Sequence, residues 1–363
     1  MYNAAIKVLE KITSFGYQAY IIGGYPRDLY LKRSSSDVDI CTDATPKEIM
    51  NIFSEVVTTN AEYGSVIISY EKIRFEITTF RTEEKYIDHR KPSKIKYIDS
   101  LEEDLKRRDF TINTLCIDKN GNQIDLLNAK SDLDNKIIRM IGNPKIRLKE
   151  DALRILRAIR FATILNFELE PVLKAYIKKY APLVKKLSKE RQKDELDVIF
   201  ASPNKEYGIK LLCELKLDGP LEIPLLKKIK ITPSMIVTWA QLNVLNKYHF
   251  NTSEKDLIIK VKELQNKNLL DKKVLYEYGL YACSLAAELN NIDKKELNEI
   301  YAEMPIHSKL DIAMQPTEIC KVLNKEPGVF LKELINDLEN KLIEGTLKNE
   351  KTELERYITK NYK

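Results

Sequence analysis

Two short stretches near the N-terminus hold residue types that can move a phosphoryl group. Gly23-Gly24-Tyr25-Pro26-Arg27-Asp28 is followed, after a short gap, by Asp37-Val38-Asp39. In a strand, residues i and i+2 point to one face. The spacing therefore predicts that the Asp37 and Asp39 carboxylates project together while Val38 and Ile40 turn toward a core. Two carboxylates so placed can bridge a pair of divalent cations for in-line phosphoryl transfer, and an all-oxygen donor set favours Mg²⁺ over zinc. The Gly-Gly turn lets the backbone approach a phosphate, and Arg27, one turn into the next helix, can fork onto its oxygens. A surface loop and an ordinary turn would carry the same letters, but the two motifs on one strand–turn–helix–strand frame are far more specific.

A sugar and a base could be chosen by two later stretches. In Arg107-Arg108-Asp109-Phe110-Thr111-Ile112-Asn113, an aspartate can accept from a ribose hydroxyl, with Arg108 beside it to hold it or to contact phosphate. The alternative is an ion pair capping a helix. Residues 150–165 read as one helix in which Asp151, Arg154 and Arg157, at i, i+3 and i+6, share a face while Leu153, Leu156 and Ile159 serve the core. A carboxylate only accepts, so it suits the exocyclic amine of cytosine or adenine; a guanidinium only donates, so it suits cytosine N3 or adenine N1. Uracil and guanine present a carbonyl where that amine should be. One Asp/Arg pair could thus select C and A without a template strand, although a salt-bridged helix face would use the same residues.

The elements that must position these groups change character along the chain. Residues 4–15 carry apolar residues at helical spacing, 19–22 read as a strand, 26–32 as a helix opened by Pro26, 37–40 as a strand and 46–55 as a helix. Residues 65–70 and 73–80 read as an antiparallel hairpin over Glu71-Lys72. After about residue 146 only helical periodicity remains. The expected organisation is a head over 1–146, a helical neck over 147–208, and a helical body and tail over 209–363.

The 363 residues have globular composition, and no apolar run reaches the ~18 residues of a membrane span. Five scattered cysteines without a C-x-x-C pair point away from a disulfide frame or a structural zinc and toward a reducing, cytoplasmic setting. The net charge of +6 is unevenly spread. Residues 145–193 hold fourteen Lys or Arg against five Asp or Glu, the footprint expected for a polyanionic partner or, equally, for a solvated helical face.

The G-G-x-x-R-D and D-x-D constellation resembles the polymerase β-type nucleotidyltransferases, and its spacing resembles the class II tRNA nucleotidyltransferases (CCA-adding enzymes) and the bacterial poly(A) polymerases. Residues 107–113 are similar to the family's R-R-D-x-T-x-N, and 150–158 to its E-D-x-x-R-x-x-R-A. The resemblance implies an α+β fold, with a small mixed-sheet head followed by an all-α neck, body and tail. It implies Asp37 and Asp39 as metal ligands, with Glu76 the candidate third carboxylate, and Gly24 and Arg27 as holders of the incoming triphosphate. Arg108, Asp109, Asp151, Arg154, Arg157 and Arg160 would be further nucleotide contacts. Residues 83–104 resemble the family's flexible loop, which enzymes that add only C have short, and 188–195 its neck-bracing motif. At 124–130, Leu126 and Ala129 stand where the family usually has Pro and Gly, against a hinge there. The activity implied is template-independent addition of CCA to the tRNA 3′ end from CTP and ATP, with acceptor stem and TΨC arm held by the body and tail and no membrane involved. The rivals are an A-adding or poly(A) polymerase of the same class and a non-catalytic RNA-binding protein.

Overall fold

Helix α1 (Tyr2–Ser14) turns Ala4, Ala5, Val8, Leu9 and Ile12 inward, the spacing of a one-sided helix. It covers a mixed seven-stranded sheet, which the computed structural model shows together with the helices that follow; described are residues 1–35, 37–60, 63–87 and 91–363, with 83–87 and 91–94 as backbone only. Strand β1 (Ala19–Ile22) leads through Gly23 into α2 (Gly24–Tyr30) and back along β2 (Asp39–Thr42), antiparallel to β1 with Ile22 opposite Asp39. The second strand therefore starts at Asp39, two residues later than the alternation predicts.

Helix α3 (Pro46–Ile52) opens on a Thr45/Glu48 capping box and packs Ile49 and Ile52 under the sheet. Strands β3 (Val56–Asn60), β4 (Ser65–Tyr70) and β5 (Ile73–Thr79) follow. The β4–β5 hairpin turns on Glu71 and Lys72, both at positive φ, as the right-handed twist of a two-residue hairpin demands. Strand β5 then runs parallel to β2, with Glu76 opposite Asp39. The stretch resembling a flexible loop begins as a separate two-stranded antiparallel sheet, β6 (Arg81–Ile87) and β7 (Lys91–Tyr97), followed by helix α4 (Leu101–Lys106); its residues 88–90 lie outside the described residues. Two short strands, β8 (Cys116–Ile117) and β9 (Gln123–Ile124), complete the order β3-β4-β5-β2-β1-β8-β9. Asp125 then accepts from the N–H groups of Ala129 (2.7 Å) and Lys130 (2.9 Å), tying down the start of α5 (Ala129–Asp134) where the family pattern has its glycines.

The neck differs from its sequence reading at the point that matters most. Residues 150–165 are not one helix. After the short strand β10 (Ile137–Ile138), α6 (Pro144–Glu150) stops at Asp151, whose backbone is extended, and α7 (Leu153–Leu165) starts two residues later. Strand β11 (Glu168–Leu169) pairs in parallel with β10 and leads into α8 (Pro171–Tyr180), α9 (Lys189–Ala201) and α10 (Lys205–Glu214). The boundary expected at 208/209 falls inside α10. There a Cβ on Gly208 would lie 2.4 Å from Thr163 Oγ1 and 2.8 Å from Ile199, so α10 sits on α7 and α9 through bare backbone. The compact units are instead Met1–Lys227 and Lys228–Lys363. The second is helical, from Met235–Leu242 to Lys351–Tyr362, with buried clusters around Cys283 and Leu338. Its charge is nearly balanced, so most of the positive excess belongs to the first unit. Among the described residues all five cysteines are free, and no helix is long and apolar enough to cross a membrane.

Candidate active site

A cavity of about 570 Å³ opens in the first unit where four sequence-distant pieces meet: the β1–α2 turn, the start of β2, residues 107–113, and the α6–α7 break with its neighbour α9. Seven arginines and three aspartates line it. That surplus of positive charge suits a polyphosphate.

At the carboxylate end, Asp39 lines the cavity, and Asp37 and Asp39 are both exposed while Val38 and Ile40 are buried, as the alternation predicts. Gly23 takes φ +83°, and a Cβ there would meet Asp39 Oδ2 at 3.1 Å. The first glycine of the pair, rather than Gly24, is thus the one the backbone demands. Crowding by protein pushes the Asp39 carboxyl above the usual carboxylate range; Glu76 and Asp37 add to the effect and Arg108 opposes it. Negative groups gathered without enough counter-charge, all with oxygen donors, suit a hard cation. Glu76 stands opposite Asp39 and accepts from Ser65 Oγ at 2.5 Å. Neither Asp37 nor Glu76 lines the cavity, and among the described residues no three acidic, His or Cys side chains converge closely enough to form a metal cage by themselves.

Six of these arginines are paired with carboxylates: Arg27, Arg107, Arg108, Arg154, Arg157 and Arg160. Arg27, almost buried, forks onto Asp28 with both bonds at 3.0 Å and donates to Asn113 Oδ1 at 2.8 Å. Arg108 pairs with the fully buried Asp104 (3.0 Å), which also takes Arg107 (2.7 Å). Burial alone would raise the Asp104 pKa, but Arg108 and Arg107 overcome it and hold the carboxyl low. Of the two roles open to Arg108 in the sequence, holding Asp109 or contacting phosphate, the structure does not show the first. That role falls to Arg157, whose Nε lies 2.6 Å from Asp109 Oδ2, with Asn113 Nδ2 (3.3 Å) and the Phe110 N–H (2.8 Å) on Oδ1. Against the upward pull of burial, these contacts keep the Asp109 carboxyl below its ordinary range.

Around the α6–α7 break, Asp151, Arg154 and Arg157 reach one cavity without sharing one helix. Asp151 Oδ1 accepts from the Leu153 N–H at 2.9 Å, capping the fresh start of α7. Burial pushes its carboxyl up, an effect moderated by that N–H and by Arg154, Arg191 and Arg157. Arg154 is only 5 % exposed and donates to the Arg147 carbonyl (2.9 Å) and Glu150 (3.1 Å). Leu153, expected in the core, lines the cavity, whereas Leu156 and Ile159 are buried as expected. Arg160 faces Glu195 at 3.2 Å. Arg147 donates to the backbone carbonyls of Arg107 and Arg108, the latter at 2.9 Å, and joins residues 107–108 to α6.

Sequence reasoning named nine of the fifteen lining residues as site residues and missed six: Gly23, Arg107, Asn113, Leu153, Phe161 and Arg191. Arg107 and Asn113 lie within the 107–113 motif and Arg191 within 188–195, and that position is the signal that could have found them. Phe161 looked like any core aromatic, and nothing in its spacing distinguishes it.

Three family models match the chain: "Poly A polymerase head domain" over residues 19–139, "Probable RNA and SrmB- binding site of polymerase A" over 166–222, and a model of tRNA nucleotidyltransferase domain 2 over 229–358. The chain is 33 % identical to a CCA-adding enzyme of Streptococcus suis (strain 05ZYH33), covering 98 % of this chain and 96 % of that one. To a CCA-adding enzyme of Streptococcus gordonii it is 34 % identical over 98 % and 97 %. Among solved structures, the Bacillus stearothermophilus CCA-adding enzyme in complex with CTP superposes with a TM-score of 0.86 at 27 % identity, covering 99 % of this chain and 97 % of that one. The Thermotoga maritima CCA-adding enzyme complexed with tRNA-CCA shares the fold at a TM-score of 0.68 and 17 % identity, over 99 % and 95 %.

Proposed function

The chain belongs to the CCA-adding enzymes, and on that premise we propose that it completes the 3′ end of tRNA, joining CMP twice and AMP once from CTP and ATP and releasing pyrophosphate each time. The observation that carries this reading is the single cavity in which a metal-suited carboxylate end, a backed row of guanidiniums and an acceptor–donor pair for a base edge all open. The family depends on a divalent cation, and the oxygen donors of Asp37 and Asp39 make Mg²⁺ our choice. When bound there, the cation would lower the pKa of the attacking 3′-hydroxyl and offset the charge of the leaving pyrophosphate.

The protein's own groups then position. Arg27 and Arg108, with the close backbone at Gly24, receive the triphosphate, and their fixed carboxylate partners mean that little reorganises when it arrives. Asp109, ionised and steadied by Arg157, accepts from the ribose hydroxyl. Asp151 accepts from the exocyclic amine and Arg154 donates to the ring nitrogen, so a uracil or guanine would bring its carbonyl against a carboxylate. Arg157 and Arg160 complete the positive wall. The Lys- and Arg-rich neck attracts the RNA backbone, while the body and tail hold the acceptor stem and TΨC arm, in the cytoplasm where tRNA is processed.

Incubation of the full chain with tRNAs ending at the discriminator base, at C and at CC, with each nucleotide alone, tests the proposal. CMP should enter the first two and AMP the third. Incorporation of AMP only would make it an A-adding enzyme, extension of a generic oligo(A) a poly(A) polymerase, and no incorporation beside retained tRNA binding an RNA-binding protein; each overturns the reading.

A further inference from the structure

We infer that Phe161 is a positioning residue for the phosphate end of the site, its ring serving as the common surface on which Arg27, Arg157 and Arg160 are held. The guanidinium carbons of these residues lie 5.4, 5.5 and 4.7 Å from the ring centroid. They come from separate parts of the site, Arg27 from α2 and the other two from successive turns of α7. Phe161 lines the cavity at 9 % exposure and is fixed from one side by Phe110, ring centroids 5.7 Å apart and planes at 74°.

Three like charges about one point repel, and the site deals with this in two ways. Each guanidinium has a carboxylate of its own: Asp28 for Arg27, Asp109 for Arg157, Glu195 for Arg160. Carboxylates, however, neutralise the charge that a triphosphate needs to meet. A phenyl face is attractive to cations through its quadrupole yet carries no net charge. It can therefore gather the three guanidiniums without spending their affinity for an anion. A leucine or methionine would fill the same space and present no negative face. The inference rests on the reading of these arginines as nucleotide contacts, and pyrophosphate, which has neither base nor sugar, probes it separately from CCA addition.

The test replaces Phe161 in the full chain by mono-, di- and trifluorophenylalanine, which drain the ring face stepwise with little change of shape, and by Phe161→Met and Phe161→Tyr. Binding of inorganic pyrophosphate and of CTP is measured by calorimetry without tRNA, and KM and kcat are measured in the addition assay. Pyrophosphate affinity should fall progressively with fluorination, by about tenfold at the trifluoro ring, as all three contacts weaken together. KM for CTP and ATP should rise by the same factor with kcat within about threefold, and Tyr should behave as wild type while Met follows the fluorinated rings. Pyrophosphate affinity flat across the fluorine series, or Met indistinguishable from Tyr, would make the ring mere packing and overturn the inference. Failure of CCA addition with the pyrophosphate trend intact would remove the proposed function and leave the phosphate site standing.

Discussion

Asp151→Asn is the substitution that reads the base pocket most directly. In the structure Oδ1 is committed to the Leu153 N–H at 2.9 Å, so the other oxygen is the one that meets a base. The amide can keep its oxygen on Leu153 and must then turn Nδ2, a donor, into the cavity. Cytosine and adenine lose an acceptor for their amine and gain a donor against it, while uracil O4 and guanine O6 gain a partner. A hydrogen bond to a charged group is worth about 1.5–3 kcal/mol, and tenfold is about 1.4 kcal/mol. The ratio of kcat/KM for CTP over UTP should fall roughly 10- to 100-fold, mainly through weaker use of CTP, with the ATP-over-GTP ratio moving the same way. Single-nucleotide kinetics on a tRNA ending at the discriminator base supply the first ratio and on one ending at CC the second. Ratios within threefold of wild type would refute the edge-reading pocket, whatever happened to the absolute rates.

Replacing Asp37 and Asp39 together by Ala should reduce incorporation by at least a thousandfold while tRNA affinity, measured by filter binding, stays within about threefold; surviving transfer would place the metal elsewhere. Asp109→Asn leaves Arg157 without its partner and should cost about 3 kcal/mol at pH 7, the low end for breaking a buried pair, because Arg157 is one-third exposed. The folded pKa of Asp109 is depressed, so its contribution is complete above the unfolded value near 4 and is lost as pH falls through the folded one; the gap between variant and wild-type melting curves should close in that acid window and nowhere above it. Gly23→Ala, at φ +83° and with its Cβ 3.1 Å from Asp39, should destabilise by about 1 kcal/mol and lower kcat with little change in tRNA binding; unchanged turnover would show that Asp39 tolerates displacement. The affinity for tRNA should drop by several decades between about 50 and 200 mM salt, since the basic neck acts through phosphates, and a flat response would remove it from the RNA path.

Much of the head could be read from spacing, because local rules govern it. The β1 strand, the β4–β5 hairpin over Glu71-Lys72 and the one-sided α1 follow from periodicity and turn chemistry. What could not be read was decided by partners far away in the chain. The Asp104–Arg108 pair has i, i+4 spacing that the sequence could have shown, but nothing local says that Arg157, 48 residues on, takes Asp109. The helix break at Asp151 was hidden because 150–165 keeps a helical apolar rhythm straight through it; an aspartate able to cap a new helix start is the sign, and it competes with the simpler single-helix reading. The boundary expected at 208/209 rested on punctuation at 202–208, yet Gly208 marks a close helix crossing instead of a linker.

Arg147 fastens residues 107–108 to the helix before Asp151, and the Asp109–Arg157 pair fastens the same stretch to the helix after it. Two clasps tie residues 107–109 to both sides of the helix break. Under the proposed function, walls tied in this way would face the first, second and third incoming nucleotide alike, and the number already joined would have to be registered by the lengthening RNA terminus.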